Sequence, residues 1–258
     1  MVAETEHKNV PFYDRPGVEK GVIQVGQGIP FGIERVANPL IGIGGVYGTW
    51  GKSYNNETLT AFIEERLGYP VPENEKLNLS ELGFLNRHHS PLNLSHQEHA
   101  QVEREIGTRF LTEAIDACNW KPSEVDAVML GVSAPVHEDY LIQITKAAGF
   151  RDDVLKVCVH NACDGSTSCL HLALNPDLPE NQQLSSNIAE SLRGKKVLVG
   201  GVEGLSRTVL ASHDTNALQL FGNAAGVIGI IPGQTIKFLA GQSREIYDEV
   251  GFLQVQMH

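Results

Sequence analysis

The stretch from residue 156 to residue 174 constrains this chain more than any other. Lys156-Val157-Cys158-Val159 is a short apolar run with valine at alternate positions, the pattern of a strand entering a core. The chain then turns through small residues. Beyond the turn Cys169, Leu170, Ala173 and Leu174 recur at one-turn spacings, the pattern of a helix. Cys163 falls at the junction. A thiol at a helix N-terminus sits in the partial positive charge of unpaired backbone N–H groups, which favours the thiolate. The same N–H groups can hold a developing oxyanion. Gly165 would let a ligand come close to the backbone. The pattern also fits an inert cysteine, since cysteine is among the most buried residue types. Cys118, Cys158 and Cys169 lie inside helix or strand patterns and are expected to pack.

The flanking sequence repeats this alternation. Leu40-Ile-Gly-Ile-Gly-Gly-Val-Tyr47 reads as a buried strand in a glycine-rich turn, with close backbone packing favoured over phosphate binding because no GxGxxG opens a helix there. Asn55-Asn56-Glu57-Thr58 caps a helix running to about Leu67. Ser95 and Glu98 fit a capping box before an amphipathic helix whose stripe is Val102, Ile106, Phe110, Leu111, Ala114 and Ile115. Apolar runs at 127–132, 195–201 and 223–232 read as buried strands, and 140–148 as a helix. The order argues for an α/β fold with helices on both faces of a mixed sheet. His88 and His89 lie in a proline-containing stretch expected to be solvated. Residues 175–194 read as a polar insertion ending in a short helix, and residues 1–39 as an N-terminal extension with an edge strand at Val22-Ile-Gln-Val25.

Composition excludes several functions. A formal net charge of -11 is wrong for nucleic acid or an anionic membrane. No run is long enough to span a bilayer, and the polar start Met1-Val-Ala-Glu-Thr-Glu carries no apolar leader, so a cytoplasmic location is expected. Four cysteines are too few for a disulfide scaffold and suit a reducing compartment. His160, Cys163 and Cys169 match no common metal spacing, so no metal and no permanently bound cofactor is expected.

Several pieces, in this order, resemble the N-terminal half of thiolase-fold condensing enzymes, above all the beta-ketoacyl-acyl-carrier-protein synthase III group. Asn161-Ala162-Cys163-Asp164-Gly165 is similar to that group's nucleophile motif, Ala-Ala-Cys-Ala/Ser-Gly. Residues 197–207 are similar to its strand followed by Glu or Asp, x, Leu/Ser and Arg. Phe221-Gly222-Asn223-Ala224-Ala225-Gly226 is similar to its Phe-Gly-Asp-Gly-Ala-Gly. The segment Ile41 to Tyr47, the helix start at Asn56-Glu57, and Gly83-Phe84 with Arg87 fall in register. The resemblance covers about residues 40–233 and implies a layered thiolase-like sandwich with a mixed five-stranded sheet, the first of two repeats; residues 234–258 would begin the second.

The resemblance implies an acyltransferase of the 3-oxoacyl-ACP synthase III type, in fatty acid or polyketide biosynthesis. Cys163 would take an acyl group from acyl-coenzyme A or an acyl carrier protein, with the Cys163 and Gly165 backbone supporting the oxyanion. Tyr140 and Phe221 are assigned to the acyl pocket or a dimer interface. The departures are informative. Asn223-Ala224 replaces Asp-Gly, and Glu81 and about Leu77 stand where the family's Arg and Trp grip adenine. The His and Asn that serve condensation belong to the second repeat, so this chain is expected to need a homodimer or a heteromeric partner supplying it. The face of the helix bearing Cys169, Leu170, Ala173 and Leu174 is expected to meet that second repeat. Two other readings stand beside this one: a non-catalytic scaffold subunit paired with an active condensing enzyme, and an unrelated cysteine hydrolase, the latter weakened by the lack of a placed His–Asp pair.

Overall fold

A computed structural model describes residues 18–26, 28–38, 43–91, 93–178 and 187–240. The chain opens with β1 (Val18–Val25), β2 (Ile29–Asn38), β3 (Ile43–Trp50), β4 (Lys52–Asn55), α1 (Asn56–Leu67) and β5 (Asn86–His89). It continues through α2 (His96–Ala117), β6 (Ala127–Gly131), α3 (Tyr140–Ala147), β7 (Leu155–Val159) and α4 (Gly165–Leu174). Then follow α5 (Ala189–Leu192), β8 (Val197–Gly204), α6 (Leu205–Leu210), α7 (Thr215–Leu220) and β9 (Asn223–Ile230).

The main sheet has seven strands in the order β1-β2-β3-β9-β8-β6-β7, and β4 pairs with β5 in a small second sheet. Seven strands rather than five is a correction, and the physical reason lies in residues 18–38. Their glycines and prolines suggested an extension. Instead they form an antiparallel hairpin, Val18 opposite Val36 and Val25 opposite Ile29, which continues the sheet from β3. Gly26 and Gly28, at φ +23° and +80°, take the turn. The Gly26 N–H donates to Glu105 Oε2 at 2.7 Å and pins the hairpin tip to α2. The anticipated edge strand at 22–25 is the end of β1. Residues 1–17 and 241–258, and the centre of the 175–194 insertion, lie outside the described residues.

Two faces of one sheet make the two main cores. Along β6, Val128 and Leu130 face α2 and α3, whereas Ala127 and Met129 face α4. Period-two alternation with both faces apolar is what a strand buried on both sides requires. Helix α2 begins with the anticipated capping box, Ser95 with Glu98, and its six-residue stripe is buried. Gly44 lets the α2 C-terminus lie directly on β3, since a Cβ there would be 2.3 Å from the Ala117 carbonyl oxygen. A satellite core joins α1, α6 and α7 through Leu59, Ile63, Leu210 and Leu218.

Connectivity decides where a site can form. β6 runs parallel to both β7 and β8. From β6 the chain crosses through α3 to β7 on one side, then returns through α4 to β8 on the other. Crossovers in opposite directions place α3 and α4 on opposite faces and open a crevice beyond the carboxyl ends of the three strands.

Candidate active site

Cys163 lies beyond the carboxyl end of β7, on that side of the sheet. The turn after β7 is a single 3-10 turn, Ala162–Asp164, that runs directly into α4. Ala162 has φ +42°, a left-handed conformation that costs an alanine about 1–2 kcal/mol. Cross-links from the end of β6 hold it. Val132 N donates to Val159 O at 3.0 Å, and His160 Nδ1 donates to Val132 O at 2.6 Å, a carbonyl that can only accept. Ser133 Oγ lies 3.0 Å from Ala162 O. The first turn of α4 carries its own polar network, with Ser168 Oγ donating to Asp164 Oδ2 at 2.7 Å and Asn161 Nδ2 at 3.2 Å from the same oxygen.

The four thiols separate cleanly. Cys163 is exposed. Burial pushes Cys158 up to about 11 and Cys169 to about 12. Cys118, bonded to Gly44 O at 3.4 Å, is pushed up to about 11, also by burial. Burial, partial for Cys118 and Cys158 and complete for Cys169, therefore favours the protonated form of three thiols, and Cys163 is the exposed one.

Near the Cys163 turn lie two acidic residues, Glu203, half-buried, and Glu103, buried. Glu203, near the end of β8, accepts from Ser133 N at 2.6 Å and lies 2.8 Å from Ser133 Oγ. Burial raises its carboxyl above the ordinary value, against the opposing pull of the Ser133 bonds and of His160. Glu103 on α2 is 7% exposed and pairs with Arg207 Nε at 3.0 Å. Its carboxyl is nevertheless pushed up to about 7, because desolvation, helped by Glu203, outweighs the pairing. Arg207 also donates from Nη2 to Ala134 O at 2.8 Å and so fixes the loop after β6. Sequence reading placed Glu203 and Arg207 only as parts of a motif, took Ser133 only as the start of a loop running to Tyr140, and passed over Glu103. Charged residues in or just beyond apolar segments were the available signal.

Other anticipated residues land elsewhere. Gly165 is buried, and its missing side chain makes room for strand β6: the nearest atom to a Cβ there would be Gly131 Cα at 3.0 Å. That absence of a side chain sets how closely α4 approaches β6. Tyr140 is 2% exposed, and its hydroxyl donates to the Glu103 carbonyl at 3.0 Å. It locks α3 onto α2 at Gly107, within its own chain. Phe221 is 38% exposed at the end of α7.

Cys169 and Ala173 lie against the sheet and are fully buried, so the expectation that they face a second repeat is corrected; the small residues of that helix face serve its contact with β6 and β8. Residues 232–240 also contribute cover, with Ile236 on the same core and Phe238 stacked on His171 at 5.9 Å. His89 is 0% exposed, enclosed by Tyr54 and Phe62, and held neutral: burial, aided by Arg87 and His88, pushes it down to about 4. The solvated histidine loop is thus strand β5. Its pairing with β4 turns alternate residues inward. Glu81 is exposed and bonded to Asn78, and Leu77 packs on the satellite core, so neither forms an adenine clamp. Among the described residues no three His, Cys, Asp or Glu side chains gather as a metal site would require, and no helix is long and apolar enough to cross a membrane.

Solved structures share this architecture. The 1,3,6,8-tetrahydroxynaphthalene synthase of Streptomyces coelicolor, a bacterial type III polyketide synthase, superposes with a TM-score of 0.52 at 10% identity, covering 69% of this chain and 53% of that one. A type III pentaketide synthase from Neurospora crassa gives 0.51 at 15%, covering 88% and 58%. Germicidin synthase from Streptomyces coelicolor gives 0.51 at 14%, covering 69% and 56%. The chain has the thiolase fold. It spans a little over half the length of these condensing enzymes. No family profile matches the sequence, and no curated protein is similar to it.

Proposed function

We propose that the chain is an acyl-transferring component of a condensing enzyme, of the 3-oxoacyl-ACP synthase III or polyketide synthase kind, with Cys163 as nucleophile. One observation carries this. Of four thiols, Cys163 alone is exposed, and it stands in the first helical turn beyond the carboxyl ends of three parallel strands. The Cys163 sulfur attacks the carbonyl of an acyl-coenzyme A or acyl-carrier-protein thioester, a tetrahedral oxyanion forms near the backbone N–H groups of the turn, and the donor thiolate leaves. The acyl group ends on Cys163 as a new thioester. Phe221, partly exposed, is offered as a wall of the acyl site.

Condensation needs more than the nucleophile: a general base or hydrogen-bond donors must stabilise the enolate of the extender. In this reading those groups come from a second repeat, provided by a homodimer, a heteromeric partner or further sequence. The chain alone then self-acylates slowly. Intact-mass spectrometry after incubation with acyl-coenzyme A tests the proposal. An adduct that disappears in Cys163→Ala and persists in Cys158→Ala and Cys169→Ala supports it. Labelling of Cys163→Ala ends the assignment, and no adduct from either acyl-coenzyme A or acyl carrier protein favours a non-catalytic scaffold subunit.

A further inference from the structure

We propose that Glu203 is a positioning residue whose single proton sets the geometry of Cys163: held on the carboxyl, it completes a hydrogen-bond chain from Glu203 through Ser133 to the Ala162 carbonyl, and lost to water, it leaves that carbonyl with its Gly165 bond alone. The inference rests on the reading of Cys163 as the nucleophile. It follows from counting protons. Ser133 Oγ lies 2.8 Å from Glu203 Oε1 and 3.0 Å from Ala162 O. A hydroxyl has one hydrogen to give. With Glu203 ionised both neighbours are acceptors, and only one contact is a hydrogen bond; the carboxylate, carrying charge, takes it. With Glu203 protonated, its hydrogen goes to Ser133 Oγ and the Ser133 hydrogen goes to Ala162 O. Both contacts are then bonds.

The residue at the end of the chain is the one that needs holding. Ala162 has φ +42° and immediately precedes Cys163. Its carbonyl also accepts from Gly165 N, so the Ser133 bond fixes the plane from which both the cysteine and α4 depart. The groups around Glu203 are Ser133 after β6, Cys158 on β7, His160 after β7, Glu103 on α2 and Tyr140 on α3. Arg207 on α6 spends its Nε on Glu103 and its Nη2 on Ala134 O. Burial favours the protonated form, and Glu103 across the site adds like charge when ionised. His160 and the Ser133 bonds pull the other way, and the net direction is upward.

The test reads the rate at which iodoacetamide alkylates Cys163, from pH 5 to pH 9, as the ratio of wild type to Ser133→Ala. The ratio cancels ionisation of the thiol itself. A ratio of about 5 at low pH, the worth of one hydrogen bond of about 1 kcal/mol in rate, should decline towards 1 as Glu203 ionises. Ser133→Thr keeps the hydroxyl and should follow wild type. Glu203→Gln has no proton to lose, so its rate relative to Ser133→Ala should not change with pH. A ratio flat across the range, or a Ser133→Thr protein that behaves as Ser133→Ala with unchanged melting, overturns the proposal. Iodoacetamide needs no acyl donor. A pH-dependent ratio without an acyl adduct therefore counts against acyl loading and leaves the clamp standing, and a flat ratio with an adduct does the reverse.

Discussion

Replacing Gly131 by alanine should do more damage than its single methyl suggests. Gly131 ends β6 where α4 begins its first turn against it. A Cβ there would stand 2.3 Å from the Gly165 carbonyl carbon and 2.4 Å from Ser166 N, both backbone atoms that cannot rotate away. Ordinary contact begins near 3.4 Å, so the helix start must lift by roughly 1 Å. Ser166 also packs close to β8, where a Cβ added at Gly201 would stand only 2.2 Å from Ser166 Oγ. Lifting α4 also loosens Cys169 and Ala173 from the sheet. Overpacking of this kind costs about 3 kcal/mol, a fall in melting temperature of about 6–12 °C for a chain of this size. The control is Gly165→Ala, whose Cβ meets Gly131 Cα at 3.0 Å and Val159 O at 3.3 Å. That tightness is a few tenths of an ångström, and alanine's better helix propensity offsets about 1 kcal/mol of it. Thermal melts followed by circular dichroism decide. If Gly131→Ala melts within 2 °C of wild type (under about 1 kcal/mol), the close helix–strand packing is not what holds Cys163 in place.

Three further outcomes are expected. His89 is neutral when folded and depressed to about 4, so the unfolded chain binds its proton first as pH falls. Its contribution to stability is full above pH ~6.5 and is lost on acidification towards pH ~4, by about 3 kcal/mol at most, and urea titrations should find His89→Phe less acid-sensitive than wild type. Asn223 accepts from Ser206 N at 3.1 Å and donates to Ser90 Oγ at 3.0 Å and Trp50 O at 3.3 Å; Asn223→Leu strands these buried partners and should lose about 3 kcal/mol in chemical denaturation, a loss under 1 kcal/mol counting against the hub. Tyr140→Phe removes the bond to Glu103 O and should lose about 1 kcal/mol with no change in Cys163 alkylation, whereas altered alkylation would give Tyr140 a role at the site.

Much of this was legible because local chemistry and global position agree. The capping box at Ser95 and Glu98, the α2 stripe and the alternation through β6 each follow from a period and a cap, and each appears where its pattern lies. Cys163 at a strand-to-helix junction was readable for the same reason. What failed depended on distant partners. His88-His89-Ser90-Pro91 looks solvated in isolation, yet β4 pairs with its two histidines and His89 lies between Tyr54 and Phe62. The glycines of 21–32 look like an extension until β3 offers them an edge to extend.

The site shows the same division at finer scale. Cys163 is picked out by its own neighbours, but the groups bonded around its turn lie 30 and 40 residues away in sequence, Ser133 after one strand and Glu203 at the end of another. They meet because β6 lies between β7 and β8, an order fixed only when α3 and α4 cross in opposite directions. A serine in a loop and a glutamate ending an apolar strand carry no shared local signal. Their coupling is a property of strand order, and strand order follows from burial of both sheet faces at once. The residues that tune such a site are therefore best sought at the carboxyl ends of the strands flanking the nucleophile's own, before the sequence around the nucleophile itself.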